Sequence, residues 1–403
     1  MAPRRSDEEW RIVLRLLPDG WDAAAHTQGA FVRPRDDLRQ PADLLRLLLF
    51  HAVGEGGLRS TVAEAEQAGL GRLSNVALLK RLRSSVAWLA WLAAGLATKT
   101  REQLPALQGY RPRAIDSTAV QAPASRGTSW RLHYTLDLLS LSCDWHELTD
   151  ARGSELLERA VVRRGDVLLG DRNFLRPAGV RAVLAAQGHV LVRLKWLHPA
   201  MVDERGKRLS VLSRARTQRV GQMASWTAFL LDPHGPVARL PGRFVTLKLP
   251  GPVAQRNRAR LEKQARKKGK TPHPRSLEAA GYLLLWTTLP PDPFGAEEVL
   301  EWYRFRWQVE VAFKRLKQLL KLGRVPHKDE QAARGWIQSK LVVALLLETL
   351  YRNAAGIFPW GYEFARRRAT EPVEVDAPGS SLPSPSPGAS VAAGGVGEKN
   401  ALG

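Results

Sequence analysis

Four polar side chains in the last third of the sequence are spaced for a shared task. Tyr303, Arg306, Glu310 and Lys317 lie in one run, LEWYRFRWQVEVAFKRLKQLL, at offsets of 3, 7 and 14 residues from the tyrosine. A helix turns about 100° per residue, so these offsets predict one polar face spanning about 60°. The predicted helix would present an acid, two cations and a phenol to a cleft, or simply a charged face to solvent. The neighbouring face is an apolar stripe of Trp302, Phe305, Val309, Phe313, Leu316 and Leu320.

Three carboxylates could support metal-dependent chemistry. Asp116 and Asp171 end two predicted strands, and Glu310 lies on the predicted helix. Three oxygen ligands converging at one sheet edge would suit Mg²⁺ or Mn²⁺. Two ions about 4 Å apart could activate a water or a 3′-hydroxyl for in-line phosphoryl displacement. Each aspartate alone is more typical of a turn residue at a strand end. We assign the neighbouring acids to turns and helix caps: Asp150, Glu155 and Asp166.

The charge balance indicates a polyanionic partner. The 403 residues include 61 Lys and Arg against 39 Asp and Glu, a net charge of +22. Such a balance favours nucleic acid ahead of an acidic membrane. Cys143 is the only cysteine, which excludes a disulfide within the chain, and we interpret it as a small buried hydrophobe. No signal peptide or membrane span is recognisable, so we expect a soluble cytoplasmic protein.

The first half of the sequence predicts a helical segment followed by an α/β segment. Residues 1–109 form helices, two of which flank GLGRLS and resemble a helix-turn-helix with Lys80, Arg81 and Arg83 on its second helix. We expect a helical DNA-binding domain, with a plain helical cap as the alternative. Residues 110–196 alternate strands and helices, including a strand ending at Asp116 and a helix over SELLERAVVRRG.

The second half predicts an insertion, a return to the α/β pattern and a tail. Residues 197–281 read as a β-rich insertion whose stretch 256–270 contains eight Lys or Arg in fifteen residues. This stretch is either a solvated basic loop or an arm that follows a DNA backbone, and we favour the arm. Residues 282–370 complete the α/β part. Residues 371–403 have no aromatic residue and many Pro, Ser, Gly and Ala, which predicts disorder.

Taken together, these motifs resemble the DDE transposases of bacterial insertion sequences. The order IDST at Asp116, LLGDRNF at Asp171, and then Tyr303-x2-Arg306-x3-Glu310-x6-Lys317 is similar to the insertion-sequence-four (IS-four) family with its Tyr-Arg-Glu-Lys signature. The resemblance covers roughly residues 40–350. It implies an RNase H-like catalytic core, a mixed sheet flanked by helices, that is interrupted by the insertion before the catalytic glutamate.

The resemblance also implies residue roles and partners. Asp116, Asp171 and Glu310 would be catalytic and would bind two Mg²⁺ (or Mn²⁺) ions. The protein would cut double-stranded DNA at the element's inverted repeats and join the ends to target DNA, acting as a homodimer in a synaptic complex on the bacterial nucleoid. Further DNA or phosphate contacts would come from Tyr303, Arg306, Lys317, Arg172 and Tyr282.

Two positions depart from the family pattern. Asn173 stands where the family often has Gly, and we expect it to preserve a left-handed turn. Tyr282 stands where some members have a Trp that stacks on a flipped base, and Trp286 follows four residues later. Tyr282 is therefore either a base-stacking residue or a core aromatic. The hairpin-forming route of cleavage is an open question for this reason.

Two other functions remain compatible with the sequence. A decayed or domesticated transposase would bind DNA without cutting it. A structure-selective nuclease built on the same core would cut without requiring a repeat sequence and without strand transfer.

Overall fold

One large mixed sheet forms the centre of the part of the chain that the structure describes. The computed structural model describes residues 5–34, 37–54, 56–102, 106–197 and 200–353. The strands of the large sheet are β1 (Arg111–Val120), β2 (Trp130–Asp137), β3 (Ser142–Asp150), β4 (Asp166–Gly170), β5 (His189–Arg193), β7 (Met223–Thr227), β10 (Arg243–Lys248) and β11 (Tyr282–Thr287). A small sheet contains β6 (Met201–Val202), β8 (Phe229–Leu231) and β9 (Arg239–Leu240).

The strand order of the large sheet is β3-β2-β1-β4-β5-β11-β10-β7. Strands β1, β4 and β5 are parallel, while β2 is antiparallel to β1 and β3 is antiparallel to β2. This five-stranded half has the arrangement expected of an RNase H-like core. The three remaining strands are antiparallel to their neighbours. Strands β7 and β10, which fall in the predicted insertion, thus extend the main sheet.

Helices cover both faces of this sheet. Those before it are α1 (Arg5–Leu16), α2 (Trp21–Thr27), α3 (Pro41–Val53), α4 (Leu58–Gln67), α5 (Asn75–Ser84) and α6 (Val86–Glu102). Those after β4 are α7 (Pro177–Ala185), α8 (Val211–Ala215), α9 (Gly251–Lys267), α10 (Pro274–Ala279), α11 (Ala296–Arg304), α12 (Gln308–Gln318) and α13 (Glu330–Asn353). Consecutive residues of β4 point to opposite cores: Val167 and Leu169 join the core under α6, α12 and α13, and Leu168 joins that under α7 and α8. The predicted fold class, a mixed sheet flanked by helices, is confirmed.

The helix predicted over residues 300–320 is interrupted. Helix α11 ends at Arg304, a 3₁₀ turn covers Phe305–Trp307, and α12 begins at Gln308. The predicted apolar stripe is nevertheless correct, because Trp302, Val309, Phe313 and Leu316 are buried and Phe305 and Leu320 are half-buried. The 3₁₀ turn has a tighter pitch than an α-helix, so it changes how Arg306 is aimed relative to its neighbours.

Helices α4 and α5 flank the predicted helix-turn-helix turn, but two of the three cations on α5 have contacts within the protein. Arg83 pairs at 2.9 Å with Asp329, the residue before α13, and the guanidinium of Arg81 lies 5.9 Å from the centroid of the Phe31 ring. Lys80 is exposed. The packing of α5 on α13 is close, because a Cβ on Gly335 would lie 2.5 Å from the carbonyl oxygen of Leu82.

The prediction of a helix over SELLERAVVRRG is wrong, because this segment contains only one 3₁₀ turn, Leu157–Arg159. The carbonyl oxygen of Val161 accepts hydrogen bonds from the guanidinium groups of Arg101 and Arg113 at 2.7 and 2.8 Å instead of joining a helical ladder. Both arginines also pair with the buried Asp166, which is not a cap but part of a buried ionic network.

Two further expectations differ from the structure. The strand predicted to end at Asp116 continues to Val120, because its pairing with β2 runs uninterrupted from Arg113 to Val120. The basic stretch 256–270 is mostly helical, within α9, and every Lys and Arg in it is exposed. The predicted disordered tail, 371–403, lies outside the described residues. None of the described helices is long and apolar enough to cross a membrane.

Candidate active site

Asp116 and Asp171 occupy matching positions on two neighbouring strands, Asp116 within β1 and Asp171 directly after β4. The parallel register of β1 and β4 pairs Ala114 with Leu169, and two residues further along both chains lie Asp116 and Asp171. Neighbouring strands are separated by about 4.8 Å, so the two carboxylates are close at the same edge of the sheet. Asp171 follows the last residue of β4, as the sequence predicts, whereas Asp116 lies inside its strand.

Arg306 connects Asp116 to the third acid. Its guanidinium is 3.6 Å from Asp116 and 2.5 Å from Glu310, four residues later along the chain. It also lies 6.0 Å from the centroid of the Tyr303 ring. The hydroxyl of Tyr303 donates a hydrogen bond of 3.3 Å to the carbonyl oxygen of Gly170, the residue before Asp171. The segment from α11 to α12 is therefore fastened to the strand ends that carry both aspartates.

The electrostatics of the cluster are unusual for acids near a protein surface. The pKa of Asp116 is raised to about 7, mainly by burial and with smaller contributions from Asp171 and Glu155, against the lowering effects of the Ser117 N–H and the Arg306 guanidinium. Desolvation penalises the charged carboxylate, and like charges add to that penalty. A cation at this position stabilises the ionised acids, and in this structure Arg306 provides one.

Glu155 belongs to the site, although the sequence assigns it to a turn. It accepts a hydrogen bond of 2.7 Å from the hydroxyl of Ser117, the neighbour of Asp116. It also accepts one of 3.3 Å from the side-chain amide of Asn173, whose backbone N–H donates to Asp171 at 2.7 Å. No sequence signal distinguishes Glu155 from other loop acids; only the packing of its loop against the strand ends does so.

Asn173 does not have the predicted left-handed backbone. Positive φ among the described non-glycine residues occurs at Gln108, Ala124, Leu141, Gln187 and Lys321. Asn173 instead closes the turn after β4 by hydrogen bonds to Asp171 from its backbone N–H and, at 3.4 Å, from its side-chain amide.

Comparison with known proteins agrees with this geometry. Residues 107–346 match the family model described as the transposase DDE domain. The chain is 34% identical to the transposase of insertion sequence element IS186A of Escherichia coli over 359 residues, 88% of this chain and 97% of that protein. It is also 34% identical to the transposase of element IS421 of Escherichia coli over 362 residues, with the same coverage. The chain belongs to the DDE transposase family. As a member of this family, it is an enzyme that cleaves DNA and transfers the cut strands.

A solved transposase is a more distant likeness. The cryo-EM structure of the piggyBac transposase synaptic complex with hairpin DNA aligns with 86% of this chain and 74% of that chain, at a TM-score of 0.40 and 11% identity. That level is too low to define a shared fold. Nothing in these comparisons favours the alternative of a transposase that has lost its activity.

Members of the DDE transposase family use divalent metal ions, and the donor set of this chain suits them. Carboxylate oxygens are the ligands that Mg²⁺ and Mn²⁺ prefer, and a bound cation would offset the burial and the charge of Asp171 that raise the pKa of Asp116. The described residues contain no group of three acidic side chains already placed at metal-binding spacing. Glu310 is held by Arg306, with about half of its side chain exposed.

Arg193 is a cation of this transposase site that the sequence did not single out. It is the last residue of β5, the next parallel strand after β4. The surrounding protein desolvates it and lowers its pKa, Arg172 and Arg306 lower the pKa further, and Tyr303 and Asp171 oppose them. A strand-end position beside two predicted strand-end acids is the signal that could have identified it.

The remaining predicted DNA contacts lie at different distances from the acids. Arg172 is exposed beside Asp171, and Lys317 is exposed two turns after Glu310 on α12, about 10 Å further along the helix axis. Tyr282 is 7% exposed, within the core cluster that also contains the fully buried Trp286, and Lys248 lies over its ring. Burial and the charge of Glu278 raise the pKa of Tyr282, while Arg216 and Arg258 lower it. Base stacking by Tyr282 stays a prediction.

Proposed function

We propose that Asp116, Asp171 and Glu310 are the catalytic acids of this transposase and that they bind two divalent ions, with Mg²⁺ as the physiological metal and Mn²⁺ as a substitute. The observation that supports the proposal is the strand register that places the two aspartates side by side, with Arg306 bridging Asp116 and Glu310. Bound ions would activate the attacking oxygen and stabilise the leaving oxygen of an in-line displacement.

The surrounding side chains position the DNA. Arg306 can grip a phosphate with two parallel N–H groups once its carboxylate partners bind metal, because guanidinium geometry matches two oxygens. Tyr303 offers a phenol whose pKa is raised by burial, so it remains a hydrogen-bond donor at neutral pH. Lys317 and Arg172 add charge on either side of the acids, and α9 supplies a line of exposed cations for a DNA backbone.

The DNA substrates are the inverted repeats of the element and a target duplex. Both ends must be held together for transposition, so we infer a homodimer in the synaptic complex and a nucleoid-associated protein. Light scattering of the protein mixed with end DNA tests the assembly. We expect a mass corresponding to two chains and two ends, and a complex with one chain and one end would contradict the dimer.

Cleavage by the purified protein tests the catalytic set. The substrate is duplex DNA that carries the inverted repeat flanking its gene, incubated with Mg²⁺, Mn²⁺ or EDTA. We expect strand cleavage with either metal and none with EDTA. Glu310→Gln, Asp116→Asn and Asp171→Asn should each abolish cleavage and leave DNA binding in place, because the acids contact metal rather than anchor the duplex.

The matched control for these variants is Lys314→Gln. Lys314 is exposed on the same helix as Glu310 and is not part of the proposed site. We expect this variant to cut at the parent rate. Cleavage that survives Glu310→Gln would remove Glu310 from the chemistry, and cutting that ignores the repeat sequence would favour the structure-selective nuclease.

A further inference from the structure

A cation-lined cleft lies beside the proposed catalytic acids. Its volume is about 420 Å³, and it forms between the loop after β3 and the turn after β4. Five cations line it, together with Glu155: Arg131, Arg152, Arg172, Arg176 and Lys195. Ligand sites for apolar molecules are lined mainly by hydrophobic and aromatic side chains, and this lining instead suits an anion.

The cations of this cleft are largely uncompensated. Within the described residues, the side chains of Arg152, Arg172, Arg176 and Lys195 have no hydrogen bond or ion pair. Arg131 is paired with Glu155, at 3.3 Å, and its buried Nε has no hydrogen-bond partner in the described part of the chain. By contrast, the buried Arg101 and Arg113 are both paired with Asp166. Like charges gathered around one hollow raise the local potential and attract anions.

Two residues that line the cleft connect it to the proposed catalytic aspartates. Asn173 lines it and donates hydrogen bonds both to Asp171 and to Glu155. Glu155 in turn is bonded to Ser117, next to Asp116. The cleft is therefore within reach of the phosphates that neighbour a reacting phosphate at these acids.

We propose that this cleft binds the backbone phosphates of the DNA strand that borders the reacting bond. The proposal rests on the proposed function, because the acids define where the reacting phosphate lies. The shared ligand chemistry is the phosphodiester, which the element end or the target duplex can supply. Each phosphate neutralised by a cation releases counterions and steepens the dependence of affinity on salt.

The decisive experiment measures DNA affinity against salt for two matched variants, both carrying Glu310→Gln so that no strand is cut. The cleft variant changes Arg152, Arg172, Arg176 and Lys195 to Ala. The control removes four exposed cations of the insertion that do not line the cleft: Arg205, Lys207, Arg214 and Arg219. Equal melting temperatures of the two variants and the parent confirm that each is folded.

We expect the slope of log affinity against log salt to become shallower by about 3 for the cleft variant, at roughly 0.7 to 0.9 per lost contact. The control should change the slope by much less. A cleft variant whose slope equals that of the control on both end and target DNA would overturn the proposal.

The same cleft changes, made in protein that keeps Glu310 and can therefore cut DNA, show which DNA the cleft binds. If the cleft changes impair cleavage of end DNA, the cleft binds the element end; if they impair only the joining of precut ends, it binds the target. Failure of the proposed function is a separate result, namely cleavage that persists after Glu310→Gln, and it does not depend on the cleft variant.

Discussion

Glu155 accepts a hydrogen bond of 2.7 Å from the hydroxyl of Ser117. The backbone N–H of Ser117 donates to Asp116, also at 2.7 Å, and the second oxygen of Glu155 accepts from Asn173, which is bonded to Asp171. Glu155 thus connects the surroundings of both aspartates. We regard it as a positioning residue that acts through its neighbours.

Glu155→Ala should weaken the response to metal, because both aspartates lose a shared support. Changes to residues that orient metal ligands cost about 10- to 100-fold in metal affinity or activity. The measurement is the Mg²⁺ concentration that gives half-maximal cleavage, which we expect to rise. Glu155→Gln keeps an oxygen acceptor for Ser117 and should recover part of the loss. Glu297→Ala removes an exposed acid from α11 and serves as control; an effect equal to that of Glu155→Ala would exclude a positioning role.

Arg306→Lys should impair cleavage although it retains the positive charge. A lysine carries all its N–H groups on one nitrogen, whereas the guanidinium of Arg306 faces Asp116 and Glu310 with two separate nitrogens held in a fixed plane. A charge-assisted hydrogen bond contributes about 1.5 to 3 kcal/mol, so we expect single-turnover cleavage to slow by about 10- to 100-fold. Parent-like cleavage by Arg306→Lys would show that charge alone suffices.

Acid should destabilise the protein through a buried histidine pair. His51 on α3 lies 3.0 Å from His327, between their Nε2 atoms, and its Nδ1 lies 2.8 Å from the hydroxyl of Thr61. The pKa of His51 is lowered to about 4, mainly by burial and to a smaller extent by His327 and Lys340. Burial also lowers the pKa of His327, against the opposing charge of Asp329.

The sign of this effect follows from the lowered pKa. Unfolding restores the ordinary value of 6.5 for His51, so the unfolded state binds more protons, and stability present above pH 6.5 is lost as the pH falls towards about 4. The loss is on the order of 3 kcal/mol for His51. Thermal melting from pH 7 to pH 4 measures it, and His51→Gln should flatten the curve. His26→Gln, an exposed site on α2, should not.

Gly335→Ala should destabilise the fold. The added Cβ would lie 2.5 Å from the carbonyl oxygen of Leu82 and 3.1 Å from its side chain, so α13 and α5 must separate. Overpacking of this kind costs about 1 to 3 kcal/mol, more than the roughly 1 kcal/mol gained in helix propensity. Gly127→Ala is the control, since its Cβ would meet no atom within 4 Å. A melting temperature that is equal in the two variants would contradict the close packing.

Sequence patterns predicted what depends on local periodicity and residue type. The stripe from Trp302 to Leu316 and the strand before Asp171 follow from hydrophobic spacing alone. The 3₁₀ turn at Phe305–Trp307 and the loss of a helix after Arg159 were not predictable, because each depends on partners far along the chain. The same reason explains why Glu155 was missed, because it has no local signature. Arg193 has one, its position at the end of β5, but its proximity to the acids arises only when strands β1, β4 and β5 align.

Helix α13 contacts α3, α5 and α6 as well as β3, and 14 of its residues are buried. The N-terminal helices therefore share one hydrophobic core with α13 and the sheet, so we expect them to lose their packing when the sheet unfolds. Residues 5–102 and the sheet should denature in a single calorimetric endotherm. Movement of the amino-terminal helices as a rigid body would require α13 to exchange one set of neighbours for another, which ties any such motion to the integrity of the catalytic half.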